Sequence, residues 1–216
     1  LEFRRVLFRS LELFAGSRSV GNVAETMGFE VFSLDIHPFK GIDLVGDILD
    51  VTIDQIPFVP DVIWASPPCT FFSVASIGHH WHPDHTPKTD NALLGVKIVQ
   101  KTLDIIDAFP SAKWFMENPR GKLRKLEVVK DRPRAEVCYC KYGDTRMKPT
   151  DIWSNHIASI FQSGWQPRPM CFNGNKDCHH EAAPRGSKTG TQGLANAYEK
   201  SKIPEQLIRE ILESID

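Results

Sequence analysis

Two polar clusters in this sequence carry groups that could do covalent chemistry together. Ser66-Pro67-Pro68-Cys69-Thr70 follows one apolar run, and Glu117-Asn118-Pro119-Arg120 follows another. A cysteine thiolate is a strong, polarisable nucleophile and also a workable leaving group. Those properties suit addition to an electron-poor ring carbon, such as carbon 6 of a pyrimidine, followed by elimination. A carboxyl group facing the same crevice could hydrogen-bond the ring and help protonate its N3, which makes carbon 6 more electrophilic. Pro67 and Pro68 stiffen the backbone that presents Cys69. Each cluster also has a plainer reading. Taken alone, a cysteine is more often a half-buried structural thiol, and Glu117 could be a helix-capping acid beside a structural proline.

The surrounding elements decide whether these clusters can meet. Residues 11–14, 30–34, 61–65 and 112–116 are short apolar runs, each stopping at polar residues. Ser17 or Ser19 could cap a helix running to about Met27, with Gly28 ending it. Residues 91–109 have helical apolar spacing and end at Pro110. Strands alternating with helices predict an α/β fold, in which ligands bind outside the carboxyl ends of the strands. Further along, residues 134–139 and 151–153 could be strands and residues 163–193 look irregular. Residues 203–215 form a closing amphipathic helix with Pro204 in its first turn. Residues 67–90, rich in Pro, His, Ser and Thr, read as a long functional or mobile loop.

Three further groups of residues could bind something. Phe14-Ala15-Gly16-Ser17 joins the first strand to the first helix. There Gly16 permits a tight turn, and the helix behind it offers free N–H groups. Asp35 ends the second strand, where an acid can accept from ribose hydroxyls. Asp47, in Gly46-Asp47-Ile48, could accept from an adenine amino group, or could simply be a turn residue. Finally, Cys140, Cys171, Cys178 and His180 are thiol and imidazole groups, three of them in a small irregular segment that has little core of its own. They suggest a structural zinc site; the other reading is free thiols beside ligand-facing histidines.

Composition limits the alternatives. With 216 residues, 41% of them hydrophobic, the chain can bury one sizeable core but not two full domains. No apolar run approaches the ~20 residues of a membrane helix, and no signal peptide is evident. Five cysteines at uneven spacing do not form a disulfide framework, which points to a reducing cytoplasm. A net charge of −1 argues against a strongly basic nucleic-acid binder, yet residues 113–148 hold eleven Lys/Arg against five Asp/Glu. That stretch could meet a phosphate backbone or be a solvated face. Residues 1–10 fit the remainder poorly and read as a non-native leader joined near Leu11.

The ordered blocks Phe14-Ala15-Gly16, Pro67-Pro68-Cys69 and Glu117-Asn118 resemble the DNA cytosine-5 methyltransferases. Arg146, within residues 142–149, resembles the basic motif that follows Glu-Asn in that family. Residues 193–204, with Asn196-Ala197, resemble its late cofactor-closing block. Residues 142–149 and 184–192 look most like compact phage-type members. The resemblance covers residues 11–213. Three departures stand out: Ser17-Arg18-Ser19 where motif-one glycines are usual, Pro119 where valine is usual, and Lys148 where a second arginine is usual.

The resemblance implies a Rossmann-like sheet in residues 11–150 that binds S-adenosylmethionine. The cofactor would be held by Phe14, Ala15, Gly16, Ser17, Asp35, Ile36, Asp47, Ile48, Pro67 and Asn196. The catalytic set would be Cys69 as covalent nucleophile, with Glu117, Asn118 and Arg146. Residues 151–193 would be a reduced target-recognition region, metal-stabilised where the four thiol and imidazole groups hold zinc, and residues 194–216 would return to the catalytic domain. His79, His80, His82 and His85 would lie in a loop closing over DNA. The implied partner is double-stranded DNA, met by a monomer in the cytoplasm of a bacterial or phage-infected cell, without a membrane. Two alternatives remain open at this level: a catalytically inert DNA-binding module, and a methyltransferase acting on RNA or a small molecule.

Overall fold

In the computed structural model, which describes residues 8–181 and 197–215, all the strands join one sheet. These are β1 (Arg9–Leu13), β2 (Glu30–Asp35), β3 (Leu44–Val45), β4 (Val62–Ala65), β5 (Lys113–Pro119), β6 (Arg134–Cys138) and β7 (Pro149–Ser154), in the order β3-β2-β1-β4-β5-β7-β6. Neighbours from β3 to β5 are parallel, while β7 runs antiparallel between β5 and β6. The strand order reverses between β1 and β4, which places a crevice at their carboxyl ends.

Helices α1 (Ser19–Thr26), α3 (Asp90–Asp107) and α5 (Glu205–Glu213) cover the sheet, and α2 (Ile77–His80) and α4 (Ala197–Ser201) are short. Period-two alternation splits β4 between two cores. Ile63 and Ala65 face Val99, Leu103 and Ile106 of α3. Val62 and Trp64 face Val20 and Val23 of α1 and Leu207 and Ile211 of α5. All four β4 residues are buried, as expected of a central parallel strand covered on both faces.

The start of the folded chain differs from the expectation of a leader ending at residue 10. Arg9 and Ser10 are sheet residues, paired with Glu30 and Val31, and Ser10 is completely buried. The Arg9 N–H donates to Asp61 Oδ2 at 2.7 Å. Apolar patterning cannot see such residues, because their contribution is made by the main chain. Residues 1–7 lie outside the described residues.

The first helix is also capped differently. Ser17 and Ser19 hydrogen-bond each other at 2.7 Å, and neither caps α1. Instead Glu12, buried on β1, accepts from the N–H groups of Val20 (3.1 Å) and Gly21 (3.0 Å). A Cβ on Gly21 would lie 2.6 Å from Glu12 Oε2, so the approach of this carboxylate requires glycine there.

Residues 67–90 are anchored at a few points, while residues 82–88 are exposed. Phe72 and Trp81 are buried, and the Trp81 indole donates to the Phe71 carbonyl at 2.7 Å. His80 Nδ1 bonds Thr89 Oγ1, and His85 Nδ1 bonds Lys122 Nζ. The described part of the span 151–193, residues 151–181, falls into several stretches. Residues 151–154 belong to β7, and residues 155–165 turn back beneath the amino end of the parallel strands, where Trp165 stacks edge-on against Phe115 of β5. Arg168 then reaches Tyr142 and Lys141, and Cys171 arrives beside Cys138 at the carboxyl end of β6. Among the described residues of this span, those from about 169 to 181 lie on the carboxyl side of the sheet.

Candidate functional site

β5 outruns β4. Its residues 113–116 pair with residues 62–65 of β4, so Glu117 stands level with the point where the chain leaves β4 and turns through Pro67 and Pro68. Cys69 opens a 3-10 turn over Cys69–Phe71. Two ties hold this turn against β5. Asn118 Nδ2 donates to the Pro67 carbonyl at 2.8 Å, and the Lys122 N–H donates to the Phe72 carbonyl at 2.7 Å. The second tie needs Gly121, because a Cβ there would sit 2.3 Å from the Phe72 oxygen.

The electrostatics connect Cys69 to Glu117. Burial pushes the Cys69 thiol up, the Glu117 carboxylate adds to the rise, and the Lys148 ammonium opposes it. Lys148 Nζ lies 3.7 Å from Glu117 Oε1 and 4.4 Å from the centre of the Tyr139 ring. The Tyr139 hydroxyl donates to Glu117 Oε1 at 2.8 Å. Burial, then the Glu117 charge, hold that phenol well above its usual value, so it stays a donor. Asn118 is fully buried, and its Oδ1 has no hydrogen-bond partner among the described residues.

Arg146, expected in the catalytic set, is engaged with the C-terminal segment. Its guanidinium donates to Asp144 and to the carbonyls of Glu199 (3.4 Å), Lys200 (3.1 Å) and Lys202 (3.3 Å). In this structure it fastens the C-terminal segment. The cation beside Glu117 is Lys148. Sequence reasoning missed Lys148 as a site residue, having noted it only as a variant arginine position. Nothing in the apolar pattern marked Tyr139.

At the ends of β1 and β2, Asp35 is 8% exposed. Its Oδ2 accepts from the Gly16 N–H at 2.9 Å and its Oδ1 from the His37 N–H at 2.8 Å. Each carboxylate oxygen keeps a second lone pair. Phe14 holds a left-handed backbone conformation (φ 60°), and Gly16 follows at φ 46°; a non-glycine residue in that region often marks a functional constraint. Ile36 is 57% exposed, an apolar surface beside Asp35. Asp47 is exposed and caps a 3-10 turn through Leu49 N–H. Ile48 is 4% exposed and packs in the core, so only its main chain could face a ligand. Asn196 lies outside the described residues. A shallow recess of about 500 Å³ between Tyr142, Asp144, Pro204 and Arg209 holds none of Cys69, Glu117 or Asp35.

Much of the basic stretch 113–148 is internally paired. Arg120 and Arg124 bind Glu136, Arg124 and Arg134 bind the buried Asp151, and Arg132 binds Asp107. These arginines brace β6 and β7. Cys140, Cys171, Cys178 and His180 come together, with their ligand atoms all within 4.8 Å of one another. Hydrogen bonding from His180 holds the Cys178 thiol down at about 6, whereas burial pushes Cys140 up.

The architecture is an α/β Rossmann-like fold. A methyltransferase of Entamoeba histolytica, EhMeth, superposes on 69% of this chain with a TM-score of 0.51 at 14% identity. A Dnmt2 variant of Spodoptera frugiperda covers 68% with a TM-score of 0.44 at 19% identity. The chain spans about half the length of these solved structures, 53% and 49% respectively. In sequence, it is 28% identical over 218 residues to the "Probable DNA (cytosine-5)-methyltransferase" of frog virus 3 (isolate Goorha). That match covers 95% of this chain and 99% of the viral protein. The resemblance to DNA cytosine-5 methyltransferases therefore extends along nearly the whole chain. No family model matches it. Among the described residues, no helix is long and apolar enough to cross a membrane.

Proposed function

We propose that this chain is a DNA cytosine-5 methyltransferase acting on a cytosine taken out of the helix, with Cys69 as covalent nucleophile. The observation that carries the reading is the placement of Cys69 and Glu117 together at the carboxyl edge of β4 and β5, tied by Asn118 to Pro67. A base stacked in duplex DNA hides its reactive atoms, so the target must enter this crevice flipped.

The residues at the ends of β1 and β2 fit S-adenosylmethionine. The strained turn at Phe14 and Gly16 exposes main chain, Asp35 retains acceptor capacity, and Ile36 offers an apolar surface. Phe14, Ala15, Gly16, Ser17, Asp35, Ile36 and Pro67, the main chain of Ile48, and Asp47 would hold it, with Asn196 from the late block. Bound there, it supplies an electrophilic methyl group.

The protein's own steps follow from the charges. Glu117 takes up a proton from solvent and donates it in a hydrogen bond to N3. While it carries that proton its charge no longer raises the Cys69 pKa, and Lys148 is left to favour the thiolate. Cys69 gives its proton to solvent and bonds carbon 6, N3 takes the Glu117 proton as ring electrons move to carbon 5, and carbon 5 is methylated. Solvent water then removes the carbon-5 proton, which restores the ring double bond and expels Cys69 as thiolate, and N3 returns its proton to Glu117. Tyr139 and Lys148 keep Glu117 oriented throughout.

Bisulfite sequencing of DNA from a host expressing the chain tests this reading. Methylated cytosines that vanish with Cys69→Ser are expected. Fully converted host DNA alongside DNA binding by the purified protein would favour an inert binding module, and methyl transfer to RNA alone would favour the other alternative.

A further inference from the structure

Residues 166–181 contain no helix or strand. The side chains they bury are not the ones that usually anchor a loop. Phe172 is 64% exposed and Met170 37%, while Cys171 is buried. The small core here consists of Cys138, Met147 and Cys171, with Cys140 and Cys178 packed against it. Large apolar groups face solvent while thiols face inward, the reverse of what hydrophobic burial alone would select. Near the cluster, the Glu181 N–H donates to the Thr145 carbonyl at 2.8 Å.

The geometry of the thiols suits a metal. Zinc bonds thiolate sulfur at about 2.3 Å and imidazole nitrogen at about 2.1 Å, so tetrahedral angles separate a sulfur from a nitrogen by about 3.6 Å. Cys171 Sγ and His180 Nδ1 are 3.6 Å apart, and no pair among the four ligand atoms exceeds 4.8 Å. Asn175 Nδ2 approaches Cys171 Sγ at 3.5 Å, an outer contact of the kind that orients metal ligands. Cys138 lies alongside but points its thiol to the Cys171 carbonyl, which leaves four ligands, a closed set typical of structural sites. Soft thiolates in a tetrahedral arrangement select zinc over magnesium or calcium.

We propose that Cys140, Cys171, Cys178 and His180 bind one zinc ion that fastens residues 169–181 to the turn carrying Tyr139. Binding ionises the three thiols and releases their protons, while His180 coordinates as neutral imidazole. Cys140 is the residue after Tyr139, whose hydroxyl holds Glu117. The ion therefore fixes the main chain beside a positioning residue of the crevice, and it replaces the core that this short segment lacks.

The test is metal analysis of reduced protein purified without chelators from zinc-supplemented cells. One zinc per chain is expected, falling to background in Cys171→Ser and Cys178→Ser and unchanged in Cys69→Ser. Cobalt exchanged into the wild type should show the visible ligand-field bands of tetrahedral thiolate coordination, a readout that needs no folded variant. Reduced wild type without stoichiometric zinc or those bands would overturn the proposal, as would a Cys140–Cys178 disulfide found in its place. These readouts involve no methyl transfer, so they stand or fall separately from the catalytic reading.

Discussion

The thiol of Cys69 is restrained in the resting protein: burial and the neighbouring Glu117 both disfavour its thiolate, and Lys148 pulls the other way. This balance makes a direct prediction. Glu117→Gln removes the opposing charge, so iodoacetamide should modify Cys69 at lower pH than in the wild type. Lys148→Met should shift the profile upward. Peptide mass spectrometry resolves Cys69 from the other thiols, and identical pH profiles in all three proteins would contradict the account. The approach of the Cys69 and Glu117 clusters was legible in the sequence, because each cluster closes an apolar run and contains proline. Tyr139 and Lys148 were not, since their contributions depend on β7 folding back antiparallel to β5, a pairing without a local signature. Arg146 was legible as a motif residue, but besides Asp144 its partners are main-chain carbonyls more than fifty positions away.

At the level of elements, six of the seven strands and the long helix α3 could be read from apolar patterning, to within two residues except that β5 runs three residues past the run 112–116, while the two-residue β3 went unread. The caps could not. Serine beside a helix start is the usual signal, yet the acceptor for α1 is Glu12, reached across a strand-to-helix turn. Burial raises the Glu12 carboxyl from 4.5 to about 7, against the opposing hydrogen bonds from Val20 and Gly21. Because the folded value lies above the unfolded one, the folded state holds this proton more tightly. That contribution is complete below about 4.5 and is lost as pH rises through about 7. The interval corresponds to about 3 kcal/mol. Urea unfolding of wild type and Glu12→Gln across that window should show the wild type losing stability relative to the variant as pH rises. A difference that stays constant with pH would contradict it.

For the whole molecule, the sheet has a chemical end and a structural end. Cys69, Glu117, Asp35 and the sulfur cluster lie toward the carboxyl ends of the parallel strands, whereas residues 155–165 lie beneath the opposite end. The turn there exposes Ile160 (91%) and Phe161 (92%), which would invite a DNA-binding reading on sequence alone. Changing both to serine should leave methylation and DNA affinity within about twofold, the usual size of a surface effect. A large loss of either would place the DNA face at the wrong end of the sheet. The overall α/β class and the crevice were legible from strand–helix alternation. The route of residues 151–181 was not, because packing and clustered thiols rather than periodicity direct it. The central claim, that Cys69 attacks a cytosine ring, is tested most directly by incubating the protein and S-adenosylmethionine with duplex DNA containing 5-fluorocytosine. Fluorine at carbon 5 blocks the elimination step. The account predicts a denaturation-resistant complex whose digestion maps the nucleotide to Cys69 and which is absent in Cys69→Ser. A methylating protein that forms no such adduct, or forms it through another residue, would contradict it.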